Sequence, residues 1–124
     1  YSLSDTSGND WTATSFEGNK VLITFKKVKS VNEKTWQRIE QFYKNTSKNT
    51  SLHIVFVTSD IPQYLSDELS KRNIQAPIYT IDEKVLKTMA RVNPVVYQLS
   101  NGTVVDKWGY RSIPVNIARI PSIE

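Results

Sequence analysis

The apolar residues of this chain gather into short runs separated by polar turns, and the spacing inside the runs changes along the chain. Val21-Leu-Ile-Thr-Phe25 and Leu52-His-Ile-Val-Phe-Val-Thr58 are nearly continuous, rich in β-branched and aromatic residues and bounded by polar ones, which predicts buried strands. Between them, from about Asn32 to Lys48, Trp36, Ile39 and Tyr43 recur at i, i+3 and i+7 with Phe42 alongside, so a helix with one apolar face is expected. The tract Asn45 to Ser51 closes that helix as a polar loop. Ser59-Asp60 offers N-cap chemistry, and Pro62 suits the first turn of a second helix that reaches about Asn73 with Leu65 and Leu69 inward. Pro77-Ile-Tyr-Thr-Ile81 reads as a short strand, and Asp82 caps a third helix carrying Val85, Leu86 and Met89. Val95-Val-Tyr-Gln-Leu99 and Thr103-Val-Val-Asp-Lys-Trp108 flank Asn101-Gly102, the dipeptide that most strongly signals a β-hairpin.

The two ends carry weaker patterns. Tyr1 to Asp10 reads as an extended piece broken by the turn cluster Ser7-Gly8-Asn9-Asp10, and Trp11 to Asn19 is ambiguous. In the tail from Arg111, Ile113, Ile117 and Ile120 fall at i, i+4 and i+7, which predicts a short packing helix begun at Pro114 and ended by Pro121.

Strands and helices therefore alternate as β, α, β, α, β, α, β, β. Alternation requires crossover connections and so a parallel portion, while the hairpin adds an antiparallel edge. The expected class is α/β: three layers, a mixed central sheet with a C-terminal hairpin, and flanking helices. At 124 residues and 14.2 kDa this is one domain spanning 1–124, and neither an internal repeat nor a linker interrupts it.

Composition narrows the chemistry more than the architecture. With no cysteine, the chain has no disulfide, no thiolate nucleophile and no thiolate metal site. Its only histidine, His53, would have to carry any His-centred catalysis alone, and no metal or other cofactor is implied. The net charge of +4 favours acidic surfaces weakly and gives no platform for nucleic acid. The longest apolar runs fall far short of the roughly 20 residues that cross a bilayer. The chain starts at Tyr1 with no basic-then-apolar leader, and the expectation is a piece of a longer protein.

The arrangement resembles the thioredoxin-fold superfamily, in its thiol-disulfide-oxidoreductase and peroxiredoxin-like branch, over nearly the whole chain. Ser4-Asp-Thr-Ser-Gly8 is similar to that branch's leading hairpin, and Val21 to Phe25 takes the place of the strand that delivers the active site. The most specific stretch is the helix after Asp82, then Val92-Asn93-Pro94, the hairpin, and Lys107-Trp-Gly109. More narrowly, Leu86-Lys-Thr-Met-Ala-Arg-Val-Asn-Pro94 with Asn101-Gly102 and Lys107-Trp108 resembles the C-terminal soluble domain of some bacterial DoxX-like membrane proteins. The resemblance implies a cis proline at Pro94, after Asn93, facing the active site and leaving a main-chain edge open to a polypeptide. It also places the family's Cys-x-x-Cys on Ser30-Val31-Asn32-Glu33, where both sulfur positions are replaced. Thiol-disulfide exchange needs a thiolate, so the resemblance implies a vestigial, redox-inactive site.

What remains is a set of expectations. The lead is a binding or accessory domain that holds a protein or peptide near Pro94. It would be attached through a missing segment to its membrane-embedded parent in the bacterial envelope, with the periplasmic side favoured. The alternatives are a non-redox enzyme using Ser30 and Glu33, and a purely structural or oligomerisation module. Against the enzyme, Ser30, Asn32 and Glu33 also read as ordinary helix-start residues. Lys26, Lys27 and Lys29 form a basic rim beside this loop, in a stretch from Lys20 to Lys48 with eight basic residues against Glu33 and Glu40. Trp36 reads as core, whereas Trp11 and Trp108 either pack together or present aromatic surface to a partner. The triplets at Asn45, Asn49 and Asn101 match glycosylation acceptors by pattern and are assigned no role.

Overall fold

The computed structural model describes residues 1–15 and 17–117. Its core is a six-stranded sheet of β1 (Leu3–Asp5), β2 (Asn19–Phe25), β3 (Leu52–Thr58), β4 (Ile78–Ile81), β5 (Val95–Ser100) and β6 (Thr103–Gly109). The helices are α1 (Thr12–Ser15), α2 (Glu33–Thr46), α3 (Pro62–Lys71) and α4 (Glu83–Met89). Strand order is β1-β4-β3-β2-β5-β6. The pairs β2–β3 and β3–β4 are parallel, joined by the α2 and α3 crossovers, and β1, β5 and β6 pair antiparallel. The mixed sheet with flanking helices is thus as the alternation predicts.

The central strands are apolar on both sides because both faces of the sheet are covered. On one face Val21, Ile23, Phe25, Ile54 and Phe56 meet Trp36, Ile39 and Phe42 of α2 and Leu65 and Leu69 of α3. On the other, Leu22, Val55, Val57, Tyr97 and Leu99 meet Leu3, Leu86 and Ala90. Phe25 lies between Trp36 and Phe56, with ring centroids 5.0 and 6.1 Å away.

Helix starts follow side-chain chemistry in two cases. Asn32 caps α2 by accepting from Thr35 N–H, and Asp82 caps α4 by accepting from Lys84 and Val85. The third differs from the sequence reading. Pro62 begins α3, but Ile61 is its N-cap and makes no side-chain cap bond. Asp60 accepts instead from Ile61 N–H and, 3.1 Å away, from Val28 N–H across the sheet end. The tertiary contact outcompetes the local cap.

The leading turn is built on Asp5, whose carboxylate accepts from Ser7 N–H, Asn9 N–H and the Asn9 amide, while Gly8 supplies the positive φ. Those bonds, led by Asn9 N–H, hold the Asp5 carboxyl below its ordinary pKa. The tail is not helical over Pro114–Ile117. Pro114 is followed by bends in which Val115 O accepts from the Asn45 amide and Ile117 reaches the core as an irregular segment. Ile120 and Pro121 lie outside the described residues. Among those described, no helix is long and apolar enough to cross a membrane.

Candidate functional site

The chain leaves β2 at Phe25 and enters α2 at Glu33 through a seven-residue loop from Lys26 to Asn32. Val28 is the loop's anchor: it is buried against the Trp36 face, and its N–H is held by Asp60. Thr58 Oγ1 donates to Phe25 O at 2.9 Å, and Ser59 N–H donates to the same carbonyl. Ser30 and Asn32 of the loop are exposed, as is Glu33 at the start of α2. Ser30 stands two residues before the Asn32 cap, outside the helix.

The second component arrives from α4. The chain turns through Arg91-Val92-Asn93 into Pro94, and the Asn93-Pro94 peptide is cis. Asn93 reaches across to the first loop with both ends of its amide. Its Oδ1 accepts from Lys26 N–H at 2.8 Å, and its Nδ2 donates to Lys27 O at 2.6 Å. Lys26 returns the connection, its Nζ donating to Ala90 O at the C-terminal end of α4, where a cation complements the helix dipole. So the loop at Ser30 and the loop at Pro94, 64 residues apart in sequence, are joined side by side. The outer surface of the second loop stays open. Val92 is 41% exposed, and no main-chain hydrogen bond engages the N–H of Val92 or Asn93 among the described residues.

Glu33 is fixed from outside the loop. Arg72, the C-cap of α3, grips both of its carboxylate oxygens at 2.8 and 2.9 Å, while Nε meets Glu68 at 3.2 Å and the guanidinium lies over the Trp36 ring. Glu40 approaches the same guanidinium at 3.5 Å. The Arg72 hydrogen bonds hold the Glu33 carboxyl below its ordinary pKa, and Glu33 in turn raises that of Arg72. A carboxylate held this way is a poor proton acceptor near neutrality. Ser30 has no histidine to activate it either. His53 pairs with Lys20 at the far end of β3, five residues and about 16 Å back from Thr58.

The three lysines have different surroundings. Lys27 and Lys29 are exposed, with Lys29 over the Tyr64 ring at 4.0 Å, and Lys26 is turned to Ala90 O. Trp36 is core, as its position predicts. Trp11 and Trp108 do not meet. Trp11 stacks on Tyr79 with centroids 4.0 Å apart, whereas Trp108 packs against Phe42 beneath the other face of the sheet. The described residues contain no group of three or more His, Asp and Glu placed to hold a metal ion.

No protein-family model matches the chain, and no curated protein sequence matches it. Solved structures do. A thioredoxin-like protein from Aeropyrum pernix superposes with a TM-score of 0.67 at 9% identity, covering 88% of this chain and 80% of its own. A thiol-disulfide oxidoreductase from Bacteroides fragilis gives 0.62 at 15% identity, with 86% and 85% covered. The bacterioferritin comigratory protein of Xanthomonas campestris, studied for alkyl peroxide reduction, gives 0.61 at 16%, with 91% and 82% covered. The fold is therefore thioredoxin-like, and it is built here without a single cysteine.

Proposed function

We propose that the chain is a redox-inactive thioredoxin-like module that holds an extended polypeptide against the Val92-Asn93-Pro94 edge. The observation that carries this reading is the pairing of two features at one place. The thiols that would do exchange chemistry are absent, while the main chain beside Pro94 keeps unengaged N–H groups next to an exposed valine. Strand addition uses such a surface: main-chain hydrogen bonds give affinity and a neighbouring side-chain contact gives selectivity. Its resemblance to the soluble domain of DoxX-like membrane proteins supports a place on the periplasmic side of a bacterial envelope, tethered to a membrane-embedded parent. The enzyme alternative is weakened by the capture of Glu33 by Arg72 and by the distance of His53 from Ser30.

The test is a displayed peptide library selected on the unmodified chain and rescreened on Val92→Arg, a surface change that leaves the core untouched. Enriched sequences that bind the first and lose at least tenfold on the second support the proposal. Failure to enrich any sequence, or binding indifferent to Val92, overturns it.

A further inference from the structure

β3 is longer than the strand beside it. It pairs with β2 along its whole length, but β4 begins only at Ile78, opposite Phe56. Leu52 to Val55 therefore project past the end of β4, and the sheet has a notch there. Phe56 N–H donates to Pro77 O on the β4 side. By the two-residue alternation of a strand, the N–H and C=O of Ile54 point the same way, into the notch, with no strand opposite among the described residues.

The notch is a cavity of about 450 Å³, within the range of small-ligand sites. Trp11 and Tyr79, stacked on each other, form one wall and Tyr43 lies at the other, where its hydroxyl is already engaged by Gln75 O. Lys20 enters from β2, laterally paired with His53 and on the same face of the sheet. Lys20 is only 7% exposed, yet no hydrogen bond or ion pair holds its ammonium among the described residues. Elsewhere the described partly enclosed cations have a partner: Lys26 has Ala90 O, Arg38 has Tyr110 O, and Arg72 has three carboxylates. The Lys20 stem is buried along the wall while its ammonium is not among the buried unpartnered atoms, so the notch offers one accessible positive charge beside apolar and aromatic walls.

We infer that this notch binds a small monocarboxylic acid with a planar or aromatic body. The carboxylate meets Lys20, and the body lies against Trp11 and Tyr79 beside the open main chain of Ile54. A single cation between apolar walls matches one negative charge, whereas a phosphate calls for several charged or N–H donors around it. The site lies at the opposite end of β3 from Pro94 and is independent of the polypeptide-binding edge.

The probe is 3-phenylpropionate, titrated into the isotopically labelled chain and followed by NMR, with the uncharged 3-phenylpropionamide run in parallel. Titration to about 10 mM covers the millimolar affinity expected of one charge contact and one stacking contact. The expected result is saturable shifts at the Ile54 and Val55 amides and the Trp11 indole N–H, at least tenfold weaker for the amide and for Lys20→Met. No saturable shift at these positions, or equal binding of acid and amide, overturns the inference. The acid-against-amide comparison uses the unmodified chain, so it decides the matter even where Lys20→Met fails to fold.

Discussion

Glu33 and Arg72, 39 residues apart, meet in a two-pronged ion pair on the surface between α2 and α3. Glu33 ends the Ser30–Glu33 stretch singled out in the sequence, and in the fold it ties the start of α2 to the end of α3. Arg72 is the enclosed partner, its side chain 12% exposed against 65% for Glu33. It also neutralises Glu68 and Glu40 and covers Trp36. Arg72→Met therefore leaves two partly enclosed carboxylates without their counter-charge. The expected loss is about 1–2 kcal/mol, between the exposed and buried ion-pair regimes, measured by urea unfolding at pH 7.

The same pair makes an acid prediction. Arg72 holds the Glu33 pKa below its unfolded value, so the contribution to stability is present above that unfolded value and disappears as pH falls through the folded one. Glu33→Gln is accordingly less stable than the unmodified chain at pH 7, and the two converge only as pH falls below the ordinary glutamate range. Thermal unfolding of both proteins across pH 2.5–7 checks it. Asp5 and Asp10 are also held low, by Asn9 and Thr12 respectively, so the variant retains part of its acid slope.

Asn93 is the second tie, and its removal tests whether the two loops act as one surface. Asn93→Ala leaves Lys26 N–H and Lys27 O without their side-chain partners, which should cost about 1–3 kcal/mol. Hydrogen exchange at the Lys26 amide should accelerate by more than that at Ile23, which lies in the central strand. Equal acceleration at both amides would mean that the clasp stabilises the whole fold and does not organise the site.

The strands and the α2 face were legible because apolar periodicity alone specifies them. Trp36, Ile39 and Phe42 are buried where the spacing puts them, and Asn32 and Asp82 cap where local chemistry does. The ties at the site were not legible. Asp60 looks like a cap until Val28, 32 residues away, competes for its carboxylate. Arg72 looks like a helix end until Glu33 comes into reach. Asn93 reads only as the residue before a proline, because nothing in its neighbours says that its amide spans a gap to Lys26. The notch at Ile54 depends on where β4 starts relative to β3, a register that neither strand's own sequence contains. The tail failed for another reason: isoleucines at helical spacing pack equally well from an irregular segment when Asn45 holds the backbone at Val115.

The aromatic stack under α2 supports the site from below. Phe56 is fully buried between Phe25 and Tyr43, and Phe25 is the residue from which the loop departs. Phe56→Ala should lose about 3–5 kcal/mol, whereas Phe56→Leu, which keeps most of the volume, should lose less than half as much. Urea midpoints with unchanged slopes would verify both.

The edge strand β6 decides between a module that acts alone and one that pairs copies. Val104 and Val105 are 53% and 42% exposed there, and an edge carrying apolar residues is a template for a second sheet. Two features work against that. The register breaks by a bulge between Gln98 and Leu99, which twists the ribbon, and Asp106 and Lys107 place opposite charges along the edge. Lys107 is further tied inward by Met89 O, which draws the strand toward the end of α4. The expected outcome is a mass of 14.2 kDa by light scattering, constant on tenfold dilution. A dimer that dissociates on Val104→Lys would transfer the interaction surface from Pro94 to β6 and make pairing of copies the function of the fold.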